Sequence, residues 1–236
     1  MALDPKIVET LSKVSTASIT TILLRKGLRN VWMRGTRAVR PDQPRMVGLA
    51  FTLRFVPGRE DLATLESWAA PRSTRAAVEA MPAGSIAVVD AMGITHAGVF
   101  GDLLCARIVK RGGAGLVTDG SVRDLPGVLG TGLPVWCQGN ASSPSIAALT
   151  FVNWQEPIGC GGAAVFPDDV IVADADGAVV IPQALVDEVV SAGPEQERLE
   201  NWIMGEIEKG EPLPGLYPPN AETRERYEKE QRRGRE

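Results

Sequence analysis

Residues 86–118 restrict the fold more tightly than any other part of the chain. An apolar run, Ile86 to Val89, leads into a loop carrying Gly93, Gly98 and Gly101. A helical pattern follows over about 102–111, stops at Gly112-Gly113, and gives way to a second apolar run, Gly115 to Thr118. Strand, crossover helix and strand in that order form a β-α-β unit, so the flanking strands are expected to be parallel with a right-handed crossover. Pro134 to Cys137 supplies a further strand. The chain is therefore expected to be α/β, with helices outside a mixed sheet.

The flanking segments fit that frame. Asp4-Pro5 is a helix start, and Ile7, Val8, Leu11 and Val14 recur at helical spacing. A second helix, Ile19 to Leu24, stops at Lys26-Gly27. Met46 to Val56 reads as a strand with Val47, Leu49, Phe51, Leu53 and Phe55 on one face, ended by Pro57-Gly58. A helix is expected over about 61–80, interrupted at Pro71. Val170 to Val172 and Ala178 to Ile181, joined by Asp174-Ala-Asp-Gly177, form a hairpin. Helices are expected at Ala184 to Val190 and at about 195–209. The division follows as one domain over 1–193 and a C-terminal helix with a Pro-rich, charged tail over 194–236. The tail's last part, 221–236, has too few apolar residues for a core of its own and is expected to frame a partner or stay mobile.

Composition narrows the function classes. Lys and Arg total 25 against 29 Asp and Glu, a net charge of −4. That balance lacks the basic excess of a dedicated nucleic-acid binder. No apolar run approaches the roughly 18 residues of a membrane span. The N-terminus has no signal-peptide pattern, and three cysteines without a CxxC pair suit a reducing cytoplasm. The single histidine, His96, rules out a two-histidine metal site within one chain.

Chemistry concentrates between Gly98 and Asp124. A helix starting straight after Gly101 leaves the N–H groups of Asp102, Leu103 and Leu104 facing the loop, an anion site. The following strand returns to the same sheet edge, where ligand sites of open α/β sheets gather. Topology thus groups Asp102, Asp119, Arg123 and Asp124. Arg123 offers a planar fork for a carboxylate or enolate oxygen. Asp124 and Asp102 offer hard oxygen ligands for a divalent ion. The same residues have plainer employments: either aspartate can cap a helix, and Arg123 can form a surface ion pair.

The segment GDLLCARIVKRGGAGLVTDGSVRD resembles the signature of the RraA-like family, whose enzyme branch includes the 4-hydroxy-4-methyl-2-oxoglutarate/4-carboxy-4-hydroxy-2-oxoadipate aldolases. Asp102 and Arg123-Asp124 meet its spacing of an acid, a twenty-residue gap and Arg-Asp, and PDDVIVADADGAVVIP is similar to its later strand pair. The resemblance implies a β/β/α swivelling-type domain and homo-oligomers, trimers or hexamers, with sites between subunits. It implies a retro-aldol lyase dependent on Mg2+ or Mn2+, acting on a 2-oxo acid to release pyruvate, with oxaloacetate decarboxylation through the same enolate. On that basis Asp124 is the direct metal ligand and Asp102 reaches the metal through water. Arg123 contacts the pyruvyl oxygen, and Gly101, Leu103 and Leu104 form the substrate-carboxylate site. A neighbour's C-terminal glutamate, Glu197 or Glu200, completes the shell. The resemblance leaves two rivals: the family's non-catalytic regulators, which dock on ribonuclease E, and a lyase for a sugar-derived 2-oxo acid.

The chain departs from the family pattern in places. Thr21 stands where many relatives carry Asp. Arg59, Glu60 and Asp61 are extra, and are candidates either to read a distal substrate group or to form a loop ion pair. His96, in the loop before the anion site, is a candidate proton donor or a hydrogen-bonded loop residue. Gly159-Cys-Gly-Gly162 is only weakly similar to a phosphate loop.

Overall fold

The computed structural model describes residues 3–233. Helix α1 (Pro5–Leu11) starts where expected, with the Asp4 carboxylate accepting from the Lys6 N–H. Ser15 caps α2 (Thr16–Arg25) in the same way, through the N–H of Ser18. Short strands β1 (Trp32–Met33) and β2 (Arg37–Ala38) precede the long strand β3 (Met46–Pro57). The helix expected over 61–80 is mostly absent. Apart from one 3-10 turn at Glu66–Ala69, residues 58–73 are irregular, and only α3 (Thr74–Ala80) is α-helical. Ser73 sets its start by accepting from the Ala76 N–H. Pro71 and this cap outweigh the apolar periodicity upstream.

The β-α-β unit is present. Strand β4 (Ser85–Asp90) leads through β5 (Gly98–Phe100) to α4 (Asp102–Lys110) and β6 (Gly115–Thr118), and β4 pairs parallel to β6. Next come β7 (Ser121–Val122), α5 (Leu125–Gly130), β8 (Val135–Cys137), β9 (Gly139–Asn140) and β10 (Leu149–Trp154). The predicted hairpin is β11 (Val170–Asp174) and β12 (Gly177–Ile181), paired antiparallel. The main sheet runs β1-β12-β11-β3-β4-β6-β8-β2, with β10 also on β3. Its centre, β3-β4-β6-β8, is parallel and its flanks antiparallel, so the sheet is mixed as expected. A small parallel sheet, β5-β7-β9, was not legible as strands. It stands beyond the carboxyl ends of β4 and β6, and it carries the candidate site.

The central strands are buried on both faces, as parallel strands require. Ile86, Val88, Val117 and Trp136 point into one core, under α1 and α2. Ala87, Val89, Leu116 and Val135 point into the other, with α3 and α4. Strand β3 does not keep its apolar residues in one cluster. Val47 and Leu49 join the first core, whereas Phe51, Leu53 and Phe55 join the second. The strand pairs β11 over its first part and β10 over its last, so it passes from one layer to the next.

The two C-terminal helices expected at 184–190 and 195–209 are one, α6 (Val186–Glu208), which continues through Pro194. A proline inside a helix forfeits one backbone hydrogen bond. Here packing on both sides of it holds the helix. A Cβ on Gly193 would stand 2.7 Å from Val14, and Glu197 accepts from the N–H and hydroxyl of Ser15 at 2.8 Å each. The 193/194 division therefore falls inside a helix. The tail does not wait for a partner either. Helix α7 (Ala221–Arg233) folds back on α6, burying Tyr227 and Leu216 with Leu199 and Ile203, and Tyr227 donates to Glu195 at 2.9 Å. Residues 234–236 of that tail lie outside the described residues. Among the described residues no single helix is long and apolar enough to cross a membrane.

All three cysteines are buried and free. Burial pushes the Cys105 thiol up to about 12 and raises Cys137 and Cys160 as well. Iodoacetamide at pH 8 is therefore expected to leave the native chain unmodified and to label all three sites once guanidinium unfolds it. Intact mass before and after denaturation checks this, and rapid labelling of the native chain would contradict it.

Candidate active site

The site forms where α4 and α5 begin on the edge of the β5-β7-β9 sheet. Gly101 is the extended residue preceding α4 and has no side chain to cap it. The first-turn N–H groups are therefore left without intrahelical acceptors. Asp102 folds its own Oδ1 onto the Leu103 N–H at 2.7 Å, so of the two predicted leucine amides only that of Leu104 stays open. Leu103 itself is 82% exposed and rims the opening.

Strand β7 then delivers Arg123 and Asp124 against the same wall. The Arg123 N–H bonds the Phe100 carbonyl at 2.8 Å, and its Nε donates to Asp124 Oδ2 at 2.9 Å. Asp124 precedes α5 with left-handed backbone, φ 54° and ψ 44°, and its side chain makes no capping bond. An L-residue in that region costs about 1 kcal/mol or more, and such strain collects at functional sites. The helix-cap reading of Asp124 is thus set aside, since its carboxylate faces the Arg123 side instead. The ion pair is 33% and 44% exposed on its two sides, and contributes little to stability.

Three glycines bring these groups together. A Cβ on Gly98 would stand 2.7 Å from Arg123 Cβ, one on Gly101 2.9 Å from Asp124 Oδ2, and one on Gly127 2.6 Å from Asp102 Oδ2. Asp102, Arg123 and Asp124 all line one cavity of about 190 Å3, with Gly101, Leu103 and Leu104, as the sequence predicted. Trp68, Arg75, Pro144 and Ser145 also line it. The sequence reading missed these, and it missed Gly127, whose signal was a glycine within the LPGVLG helix.

Other predicted residues lie elsewhere. Asp119 does not face the cavity. It is 4% exposed, and its carboxylate accepts from the N–H groups of Ala91 (2.7 Å), Gly93 (3.2 Å) and Gly161 (3.0 Å). It ties the loop after β4 to the turn at 159–162, so the segment read as a weak phosphate loop serves as its donor. His96 is exposed and does not line the cavity. Glu197 holds Ser15, and Glu200 bonds Gln196 at 2.6 Å and Ser18 at 3.4 Å, all within the chain. Arg59 and Asp61 form the loop ion pair, exposed and off the cavity, with Glu60 beside them. Thr21 lines a larger cavity of about 540 Å3 between α2 and β12, which holds none of the predicted catalytic groups.

The sequence model of the RraA-like family, described as Aldolase/RraA, matches residues 12–180. The chain belongs to the RraA-like family. A protein of Halalkalibacterium halodurans provisionally named 4-hydroxy-4-methyl-2-oxoglutarate aldolase is 32% identical over 166 residues, covering 70% of this chain and 71% of that protein. Protein DlpA of Legionella pneumophila is 29% identical over 79% of this chain, which spans only 29% of DlpA's length. The crystal structure of Streptomyces coelicolor RraAS2, described as an unusual member of the RNase ES inhibitor RraA protein family, superposes with a TM-score of 0.76 at 34% identity, covering 86% of this chain and 97% of that one. The RraA-like fold expected from the central motif is therefore the fold observed, and every residue of the cavity wall falls inside the matched region.

The contrast between Asp119 and Asp102 is measurable. Asp119→Ala strands three backbone N–H groups, that of Ala91 buried and those of Gly93 and Gly161 part-buried, and is expected to cost about 2 kcal/mol or more in urea unfolding, against less than about 1 kcal/mol for Asp102→Ala. Burial raises the Asp119 carboxyl above its ordinary 3.8, outweighing its backbone hydrogen bonds. A raised folded pKa makes this group's contribution fullest below 3.8 and diminishes it as pH rises through the folded value. Equal losses in the two variants would refute the structural role given to Asp119.

Proposed function

We propose that the chain is a divalent-metal-dependent carbon–carbon lyase that cleaves a 4-hydroxy-2-oxo acid to pyruvate and also decarboxylates oxaloacetate. One observation carries the reading: a guanidinium, two carboxylates and an open helix-start amide line one cavity. The likeness to a protein provisionally named as an aldolase supports it.

The residues present suit Mg2+ or Mn2+. Asp124 and Asp102 offer hard oxygen donors, and the absence of Cβ atoms at Gly101 and Gly127 leaves space beside their Oδ2 atoms. Among the described residues no cluster of three or more His, Cys, Asp or Glu forms a closed protein cage. Two carboxylates suit a cation that keeps water and takes substrate oxygens. Asp124 would hold it directly and Asp102 from the outer side. Once bound, the cation supplies Lewis-acid polarisation of the 2-oxo group.

The chain's own residues do the rest. The Leu104 N–H and the α4 first turn receive the substrate's C1 carboxylate. Arg123 donates to the 2-oxo oxygen, where negative charge grows as the C3–C4 bond breaks. The 4-hydroxyl gives up its proton to Asp102, directly or through water, and its carbon leaves as a carbonyl. The electron pair passes to C3 and O2 as the pyruvate enolate, which is then protonated at C3. With oxaloacetate the same enolate forms as CO2 departs. Leu103, exposed at the mouth, gives a neighbouring copy an apolar rim to cover, in keeping with a homo-oligomer, trimeric or hexameric.

The second reading is a regulator that docks on a ribonuclease without chemistry, favoured by the likeness to RraAS2. Pyruvate release from oxaloacetate, followed with a coupled dehydrogenase, separates the two. The expected result is activity that requires Mg2+ or Mn2+ and disappears with chelator. Asp124→Ala should lower kcat by about a thousandfold and Arg123→Lys by about a hundredfold, with melting temperatures close to the parent. Full activity in Asp124→Ala, or none in the parent with either metal, would reject the lyase.

A further inference from the structure

The cavity of about 540 Å3 between α2 and β12 shares no residue with the site at the starts of α4 and α5. Its volume falls in the ordinary range of small-molecule sites, about 300–1,000 Å3. Local chain geometry builds it. Helix α2 ends before Gly27, whose left-handed backbone (φ 88°) reverses the chain, and the Leu28 N–H returns to the Leu23 carbonyl at 3.0 Å. Residues 28–32 then run into β1, and Leu24, Leu28, Val31 and, from β12, Val179 make an apolar wall. Trp32 borders the same cavity and is 44% exposed. Its Nε1–H donates to the Asp176 carbonyl at 3.1 Å, and a Cβ on Gly177 would stand only 2.7 Å from Nε1. The ring is thus seated on the turn between β11 and β12 with its polar edge satisfied, and its remaining surface is a fixed apolar platform.

Two charged side chains, Arg29 and Asp176, border this cavity as well. Their neighbours along the chain are committed. Arg25 donates to Gln196 at 3.0 Å, and Lys26 pairs with Glu188. Asp174 accepts from the Thr16 N–H and hydroxyl at 2.8 and 2.7 Å. Among the described residues, the Arg29 guanidinium and the Asp176 carboxylate make no hydrogen bond or ion pair, either with each other or with another group.

We propose that this cavity is a binding site for an α-amino acid with an aromatic side chain. The ligand's carboxylate takes the Arg29 fork, its ammonium faces the Asp176 carboxylate, and its ring stacks on Trp32 beside the apolar wall. A simple anion would be repelled by Asp176 and a simple amine by Arg29, so a zwitterion is the form that both charges favour. The site is separate from the lyase reading and stands or falls without it.

Calorimetry on the full chain tests the proposal with three probes. L-phenylalanine carries both charges, 3-phenylpropionate lacks the ammonium, and 2-phenylethylamine lacks the carboxylate. The parent is expected to bind L-phenylalanine at least about tenfold more tightly than either analogue. Its advantage over 2-phenylethylamine should vanish in Arg29→Gln, and its advantage over 3-phenylpropionate in Asp176→Asn. Trp32→Leu should weaken all three probes, by about fivefold. Arg123→Lys, in the other cavity, should change none of them. Unchanged thermal melting confirms that the variants are folded. No binding of L-phenylalanine up to about 10 mM, an advantage that survives either charge variant, or binding that is lost in Arg123→Lys overturns the site. So does self-association that disappears in Trp32→Ser while no probe binds, which would make the groove an interface between copies of the chain.

Discussion

Two acids and an arginine can share one wall here because three backbone segments approach more closely than any side chain would permit. Gly98 admits the Arg123 stem, Gly101 admits the Asp124 carboxylate, and Gly127 admits Asp102. The parallel pairing of β4 with β6 sets the coarse position by returning the chain to the same sheet edge. The small β5-β7-β9 sheet sets the fine position, since residues 98 and 123 are neighbours across it. The strained backbone at Asp124 then turns its carboxylate away from a capping role and toward the arginine.

Much of this was legible in the sequence because the signals are local. The β-α-β unit announced itself through apolar runs and the Gly112-Gly113 stop, and the hairpin through Asp174-Ala-Asp-Gly177. The grouping of Asp102, Arg123 and Asp124 followed from topology, and the cavity contains all three. Asp119 shares that topology but not the destination. Its side chain points back under the sheet edge, where three amides need an acceptor, and residue spacing cannot report such a demand.

The errors share a physical origin in contacts distant along the chain. Pro194 reads locally as a helix boundary, yet α6 runs through it because α1 and α2 pack along its side. The tail reads as too polar to fold, yet a few apolar residues suffice once α6 supplies the other half of the cluster. The apolar periodicity of 61–80 reads as one helix, yet only α3 is α-helical there, and the 3-10 turn Glu66–Ala69 places Trp68 against the cavity.

The bond from Ser15 to Glu197 spans 182 positions of the chain. The segment that carries Ser15 is made long before the one that carries Glu197, so the seam between the early helices α1 and α2 and the late helix α6 stays unfilled until α6 has been synthesised. A chain deprived of α6 would therefore show its defect at the helices that precede the sheet.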